Sequence, residues 1–372
     1  EHSLSSPNPG WAEESPQVWW SNTIQVIQDC LAHPDVSPDQ IVGVGTTGMV
    51  PAIVILDDQK QLIRPSIQQN DARTAQEIIE FQKKFDPDRF FNLTGSSLSQ
   101  QSVGPKLVWL QRYEPEAWHR TTLIMGSYDY INYCLTDSIS LESNWALESG
   151  LYDIKSEDWS DELLTLFDVN RQLFPTVNKP NDIIGKVSLD AALKTGLKQG
   201  TPVAAGSADH VAAALAAGVR EEGDLLVKFG SAGDILYSCD KAVLDQRLFI
   251  DYHDVPGKYL LNGCMATSGS LLKWYVQQFC QVDVAEAERT GKNIYAYLDD
   301  KAAAISPGSE GVIVLPYFLG EKTPVFDAQA LGVFFGLTLF HTRYHLYRAV
   351  LEAVVFGFKH HVRVLQERNL PI

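Results

Sequence analysis

The sequence predicts an α/β protein of two domains. Its 372 residues exceed what one hydrophobic core comfortably holds. Short apolar runs alternate with helical patterns, most clearly at 201–205, followed by Gly206 and the alanine-rich 208–217. Two further strand patterns, 224–229 and 234–238, flank a Gly-Ser-Ala-Gly turn at 230–233. The stretch 201–238 thus carries two chemically loaded turns on opposite sides of one small-residue helix.

The first turn joins strand to helix and holds Asp209 and His210. Backbone N–H groups in a helix's first turn lack intrahelical partners, and a carboxylate there is electrostatically favoured. On spacing alone Asp209 reads as a helix-capping or first-turn acid. In the second turn, Gly230 and Gly233 permit positive φ angles that let successive N–H groups point inward as an anion nest. Most Gly-x-x-Gly hairpins bind nothing, so this turn gains meaning only from its neighbour.

In chain order, 16–31 reads as a helix with Val18, Trp19, Ile24, Ile27 and Leu31 at core spacing. The runs 41–45 and 52–56 suit buried strands on either side of the turn 46–51. Asn70 or Asp71 caps a helix over 71–84, and 90–101 reads as a polar loop. A helix at 106–113, a strand at 121–125 and a helix at 128–135 follow, then paired short strands over 140–153. Short helices at 159–167 and 190–195 flank a proline-bounded loop at 175–180. Beyond the central stretch come a strand at 259–262, a helix at 271–279 opened by Ser268-Gly269-Ser270, a strand at 311–315 and a long helix at 342–366. His360 and His361 are adjacent, so they point apart and make a poor metal pair. No convincing metal cluster is legible.

A formal net charge of −16 argues against non-specific binding to nucleic acid or anionic lipid, both of which need clustered Lys and Arg. An anionic nucleotide would need backbone nests, helix N-termini and a divalent cation. The five cysteines are odd in number and free of Cys-x-x-Cys spacing, as expected of reduced, mostly buried thiols in a cytoplasmic protein. No apolar run approaches the roughly 20 residues of a membrane span.

Strand, Gly-x-x-Asp helix start and glycine hairpin, in this order, resemble the FGGY family of carbohydrate kinases. The run 332–352, GVFFGLTLFHTRYHLYRAVLE, fits the family's second signature, including Gly336, His345, Ala349 and Glu352. The first signature is met in part by Lys106, Leu107, Trp109 and Leu110, with Tyr113 where a polar residue is usual. The resemblance implies the actin-like, ribonuclease-H-like α/β architecture, with a cleft between a sugar-binding domain at 1–221 and a nucleotide-binding domain at 222–372. It also implies that the chain is a fragment, lacking an N-terminal phosphate hairpin and a C-terminal adenosine segment.

The resemblance further assigns roles. Asp209 is the expected catalytic base, and Gly230, Ser231, Ala232 and Gly233, with Gly269 and Lys273, the expected nucleotide contacts. Thr47, Met49, Asp71, Arg73 and His210 are the expected substrate contacts. Thr46-Thr47-Gly48-Met49-Val50-Pro51 stands where xylulokinase-like members read Ser-Gly-Gln-Met-His-Gly, and Gln69 replaces the tryptophan of their Trp-Asn-Asp-x-Arg segment. His210 replaces their asparagine and serves either a sugar hydroxyl or local packing. ATP and Mg2+ are the expected cofactors, and a sugar or polyol the expected partner, with a homodimer left open. A catalytically silent relative and another actin-like ATPase are the competing readings.

Overall fold

Val54–Leu56 pairs antiparallel with Leu123–Met125 in the computed structural model, which describes residues 4–372. All six residues are buried, so this pair reads as continuous apolar runs rather than alternating ones. The described residues form two compact units. The first comprises residues up to Ala216 together with Asp251–Lys258, and the second comprises Ala217–Ile250 and Tyr259–Ile372.

In the first unit, Thr47–Gly48 lies parallel to Ser207–Ala208, in the register Thr47 to Ser207 and Gly48 to Ala208. Ile183–Lys186 pairs antiparallel with Pro202–Ala204, and Val44 bridges Val203 in parallel. The expected strand at 41–45 is reduced to that single bridge, and Val42 is 88% exposed. An apolar run becomes a buried strand only where something covers both its faces. The Val103–Tyr113 helix is buried from Val103 to Leu110 and lies inside the unit rather than on its surface.

Three sequence expectations need correction here. A Pro87–Thr94 helix occupies part of the expected loop at 90–101, with the Asp86 carboxylate accepting the Asp88 N–H and Gly95 left-handed at its end. A Ser143–Glu148 helix interrupts the expected strands at 140–153. Its N-cap is Glu142, whose Oε2 accepts the Asn144 N–H at 2.9 Å and the Trp145 N–H at 3.3 Å. The helix expected from Asp71 begins only at Ala75, because Asp71 and Arg73 are held in a side-chain pair that is not helical.

The second unit is built on an antiparallel sheet in which Gly233–Cys239 lies between Leu225–Phe229 and Tyr259–Met265. Phe249–Tyr252 is the far edge strand in the sheet order, and the chain passes into the first unit at its midpoint. The 25-residue Arg343–Glu367 helix contributes Tyr347, Ala349, Val350 and Ala353 to a core shared with Leu271, Tyr275, Val312 and Val314. Gly336 has φ +87°, and a Cβ there would sit 2.5 Å from the Gly311 carbonyl oxygen. His345 Nδ1 accepts the Thr342 N–H at 3.1 Å and caps the long helix. Ala349 is core, and Glu352 accepts the Gly308 N–H and the Arg348 Nε–H. No disulfide joins the cysteines among the described residues; Cys239 and Cys280 are buried, whereas Cys30 is exposed.

Candidate active site

In the first unit, Gly206 turns the chain after the Pro202–Ala204 strand. Its φ is +89°, and a Cβ would lie 2.4 Å from the Thr46 carbonyl oxygen, so only glycine fits. The next N–H, of Ser207, donates to that same carbonyl at 3.0 Å, and Asn132 ties Thr46 Oγ1 (2.9 Å) to the Ala205 carbonyl (2.7 Å). The parallel register then delivers Asp209, the first residue of the Asp209–Ala216 helix, and Met49 at the same end of the strand pair. The Asp209 side chain is 60% exposed.

A cavity of about 480 Å³ opens beside this turn, lined by Thr47, Gly48, Met49, Gln68, Ser127 and Tyr128, among others. It takes in two of the expected sugar contacts and two neighbours, Gln68 and Tyr128, that the sequence does not single out. Asp209 and His210 are not among its lining residues.

Asp71 and Arg73 lie elsewhere in this unit and are consumed by each other. Arg73 Nε and Nη2 donate to the two Asp71 oxygens, each at 2.8 Å, and both side chains are 0% exposed. The guanidinium also bonds Glu13 and stacks 3.9 Å from the Trp11 ring centroid, while Asp71 accepts the Ala12 N–H at 2.6 Å. Burial pushes the Asp71 carboxyl up, but Arg73 and the Ala12 N–H more than offset it and hold it below its ordinary value. This pair pins residues 11–13; it does not line the cavity.

His210 has a protein partner for each ring nitrogen. Nε2 lies 3.1 Å from Asp251 Oδ2, and Nδ1 lies 3.4 Å from Asp209 Oδ1. Burial works against the imidazolium, but the Asp251 charge and the bonds to Asp209 and Asp251 raise the His210 pKa well above its usual value. Glu148 stands beside the same ring. Burial, then the Asp251 charge, raises its carboxyl well above the ordinary range. Glu148, His210 and Asp251 come from three distant stretches of chain, which is why no cluster is legible in the sequence.

In the second unit, the hairpin and the Gly269–Phe279 helix form one piece. The Gly269 N–H donates to the Gly230 carbonyl at 2.8 Å, and the Ser231 carbonyl accepts from Ser268 N, Ser270 N and Ser270 Oγ. Neither Gly230 nor Gly233 has a positive φ. Glycine serves close approach instead: a Cβ on Gly233 would meet the Phe358 ring at 2.7 Å, and one on Gly269 the Gly230 oxygen at 2.7 Å. With the carbonyls turned back into the protein, the Ser231 and Ala232 N–H groups make no backbone hydrogen bond among the described residues. Such a donor set fits phosphate oxygens. Lys273, one turn into the helix, is exposed.

Residues 1–216 match the FGGY family of carbohydrate kinases, N-terminal domain, and residues 242–372 match its C-terminal domain. The chain belongs to the FGGY family of carbohydrate kinases. As an FGGY chain it is 31% identical over 361 residues to the xylulose kinase of Lactococcus lactis, covering 96% of itself and 70% of that protein. The crystal structure of xylulose kinase from Rhodospirillum rubrum superimposes with a TM-score of 0.91 at 44% identity, covering 98% of this chain and 73% of that one. The L-xylulose/3-keto-L-gulonate kinase of Escherichia coli is 27% identical over 369 residues, 98% of this chain and 71% of that protein. These relatives establish the actin-like FGGY fold and a xylulose kinase-like member of it.

Proposed function

We propose that this FGGY chain serves the ATP-dependent phosphorylation of a sugar or polyol hydroxyl, with a ketopentose such as xylulose or ribulose as the acceptor. The observation that carries this reading is the parallel register of Thr47–Gly48 with Ser207–Ala208. It sets Asp209 one residue past the strand pair, opposite Met49, which with Thr47 lines the cavity of about 480 Å³. The xylulose kinases among its relatives supply the acceptor class.

In this reading, Thr47 and Met49 orient the sugar, and Asp209 accepts the proton of the attacking hydroxyl as its oxygen bonds to the γ-phosphorus and ADP departs. Because the transition state is loose, the carboxylate contributes by position more than by basicity. In the turn formed by Gly230, Ser231, Ala232 and Gly233, the Ser231 and Ala232 N–H groups hold phosphate oxygens, with Gly269 and Lys273 beside them. Asp71 and Arg73 act on the sugar only if their mutual pair opens, and His210 acts through Asp209 rather than on a hydroxyl of its own. Mg2+ neutralises charge on the transferred phosphoryl when bound. The compact donor group among the described residues, Glu148 with His210 and Asp251, suits magnesium poorly because it includes an imidazole. A cytoplasmic location accords with cysteines that form no disulfide among the described residues.

The test is ADP release from ATP and Mg2+ with a panel of xylulose, ribulose, glycerol and gluconate. Stimulation by a ketopentose, lost in Asp209→Asn, supports the proposal. Binding of a sugar without turnover by any panel member would identify a silent relative instead.

A further inference from the structure

Glu148, His210 and Asp251 converge because their elements are pinned to one another. The Asn144 carboxamide of the Ser143–Glu148 helix exchanges two hydrogen bonds with the Tyr252 backbone, at 2.7 and 2.9 Å. Ser207 Oγ, just before the His210 helix, donates to Asp254 Oδ1 at 2.8 Å. One nitrogen and two carboxylate oxygens of the trio all lie within 4.8 Å of one another. Glu148 Oε1 is buried and has no hydrogen-bond partner. A carboxylate oxygen shut away from water without a donor is costly, and here it stands against a second carboxylate. A cation at the centre gives Glu148 Oε1 a partner and takes the place of the proton between His210 and Asp251, which is released to solvent.

We propose that Glu148, His210 and Asp251 form a binding site for a first-row divalent transition cation, Zn2+ or Mn2+. One imidazole and two carboxylates suit these ions, whereas Mg2+ prefers oxygen ligands and keeps its waters. The second ring nitrogen of His210 faces Asp209 Oδ1, which supplies the carboxylate that commonly stands behind a metal-bound histidine and fixes its tautomer. Metal at this site therefore orders Asp209 from behind. The site does not depend on the kinase reading.

Equilibrium dialysis of untagged, nucleotide-free protein against micromolar ZnCl2 or MnCl2, with metal counted by mass spectrometry, tests this. The expected result is one equivalent per chain, weakened at least about tenfold in Glu148→Gln and in Asp251→Asn, and unchanged in the exposed-histidine variant His33→Ala. No stoichiometric uptake, or equal uptake by all variants, overturns the site. Should both acidic-site variants fail to fold, anomalous diffraction from zinc-soaked wild-type crystals decides. A peak about 2.0–2.2 Å from the three ligand atoms upholds it, and no peak there overturns it.

Discussion

The Asn144 side chain and the Tyr252 backbone meet as two complementary amides: Nδ2 donates to the Tyr252 carbonyl and Oδ1 accepts the Tyr252 N–H. Both residues are buried, so water cannot replace either bond. Asn144→Ala removes both of these buried bonds and should destabilise the protein by about 2–3 kcal/mol. Urea denaturation measures this, and an unchanged midpoint would show that the pair is dispensable.

Asp209→Asn should lower turnover by at least about a hundredfold, the range for losing a positioned base. Its melting temperature should stay within a few degrees of wild type, since the side chain is largely exposed. Parallel kinetic and thermal measurements separate the two effects; undiminished turnover removes Asp209 from its proposed role.

Gly206→Ala should fail for two independent reasons, the positive φ and the 2.4 Å approach of a Cβ to the Thr46 oxygen. A loss of about 1–3 kcal/mol is expected, together with displacement of the turn that presents Asp209. Gly200→Ala, where φ is also positive but a Cβ meets nothing within 4 Å, is the control and should lose less.

Lys106 is fully buried, and its Nζ donates to the Gln68 and Gln69 carbonyls at 2.9 and 3.3 Å, as many bonds as a neutral amine can donate. Burial lowers its pKa from 10.5 to about 7. Between those values the unfolded chain binds more protons, so this lysine makes stability rise with pH across that window and level off below it. Denaturation of wild type and Lys106→Met at pH 6, 8 and 10 should show the slope in wild type and a shallower one in the variant.

Asp245 receives Arg247 through both oxygens and Arg368 through Oδ2. Burial raises its carboxyl, but these guanidiniums hold it far below 3.8. Its contribution is therefore present above pH 4 and lost as pH falls toward the folded value. Asp245→Asn should be less stable than wild type at pH 7, with the gap closing in acid melts.

Much of this was legible from residue chemistry. The alanine-rich helix after Gly206, the hairpin at 230–233 and the long C-terminal helix stand where apolar periodicity and glycine spacing put them. The Pro87–Thr94 helix had its own markers, Asp86-Pro87 at one end and Gly95 at the other. The Ser143–Glu148 helix had none, because its cap is a glutamate, a residue that rarely caps. Asp71 and Arg73 show the limit of motif reading: the letters identify the pair but not that its charges are spent on each other. Glu148 and Asp251 reach His210 only through tertiary folding, so no local pattern could reveal them.

The return of Asp251–Lys258 to the first unit sets an order on synthesis. A ribosome that has released residue 216 has not yet supplied Asp251, Tyr252 or Asp254, the partners of His210, Asn144 and Ser207. The N-terminal unit therefore stays unfinished while more than thirty residues of the next are made, and a chain cut at Ala216 would leave His210, Asn144 and Ser207 without these partners.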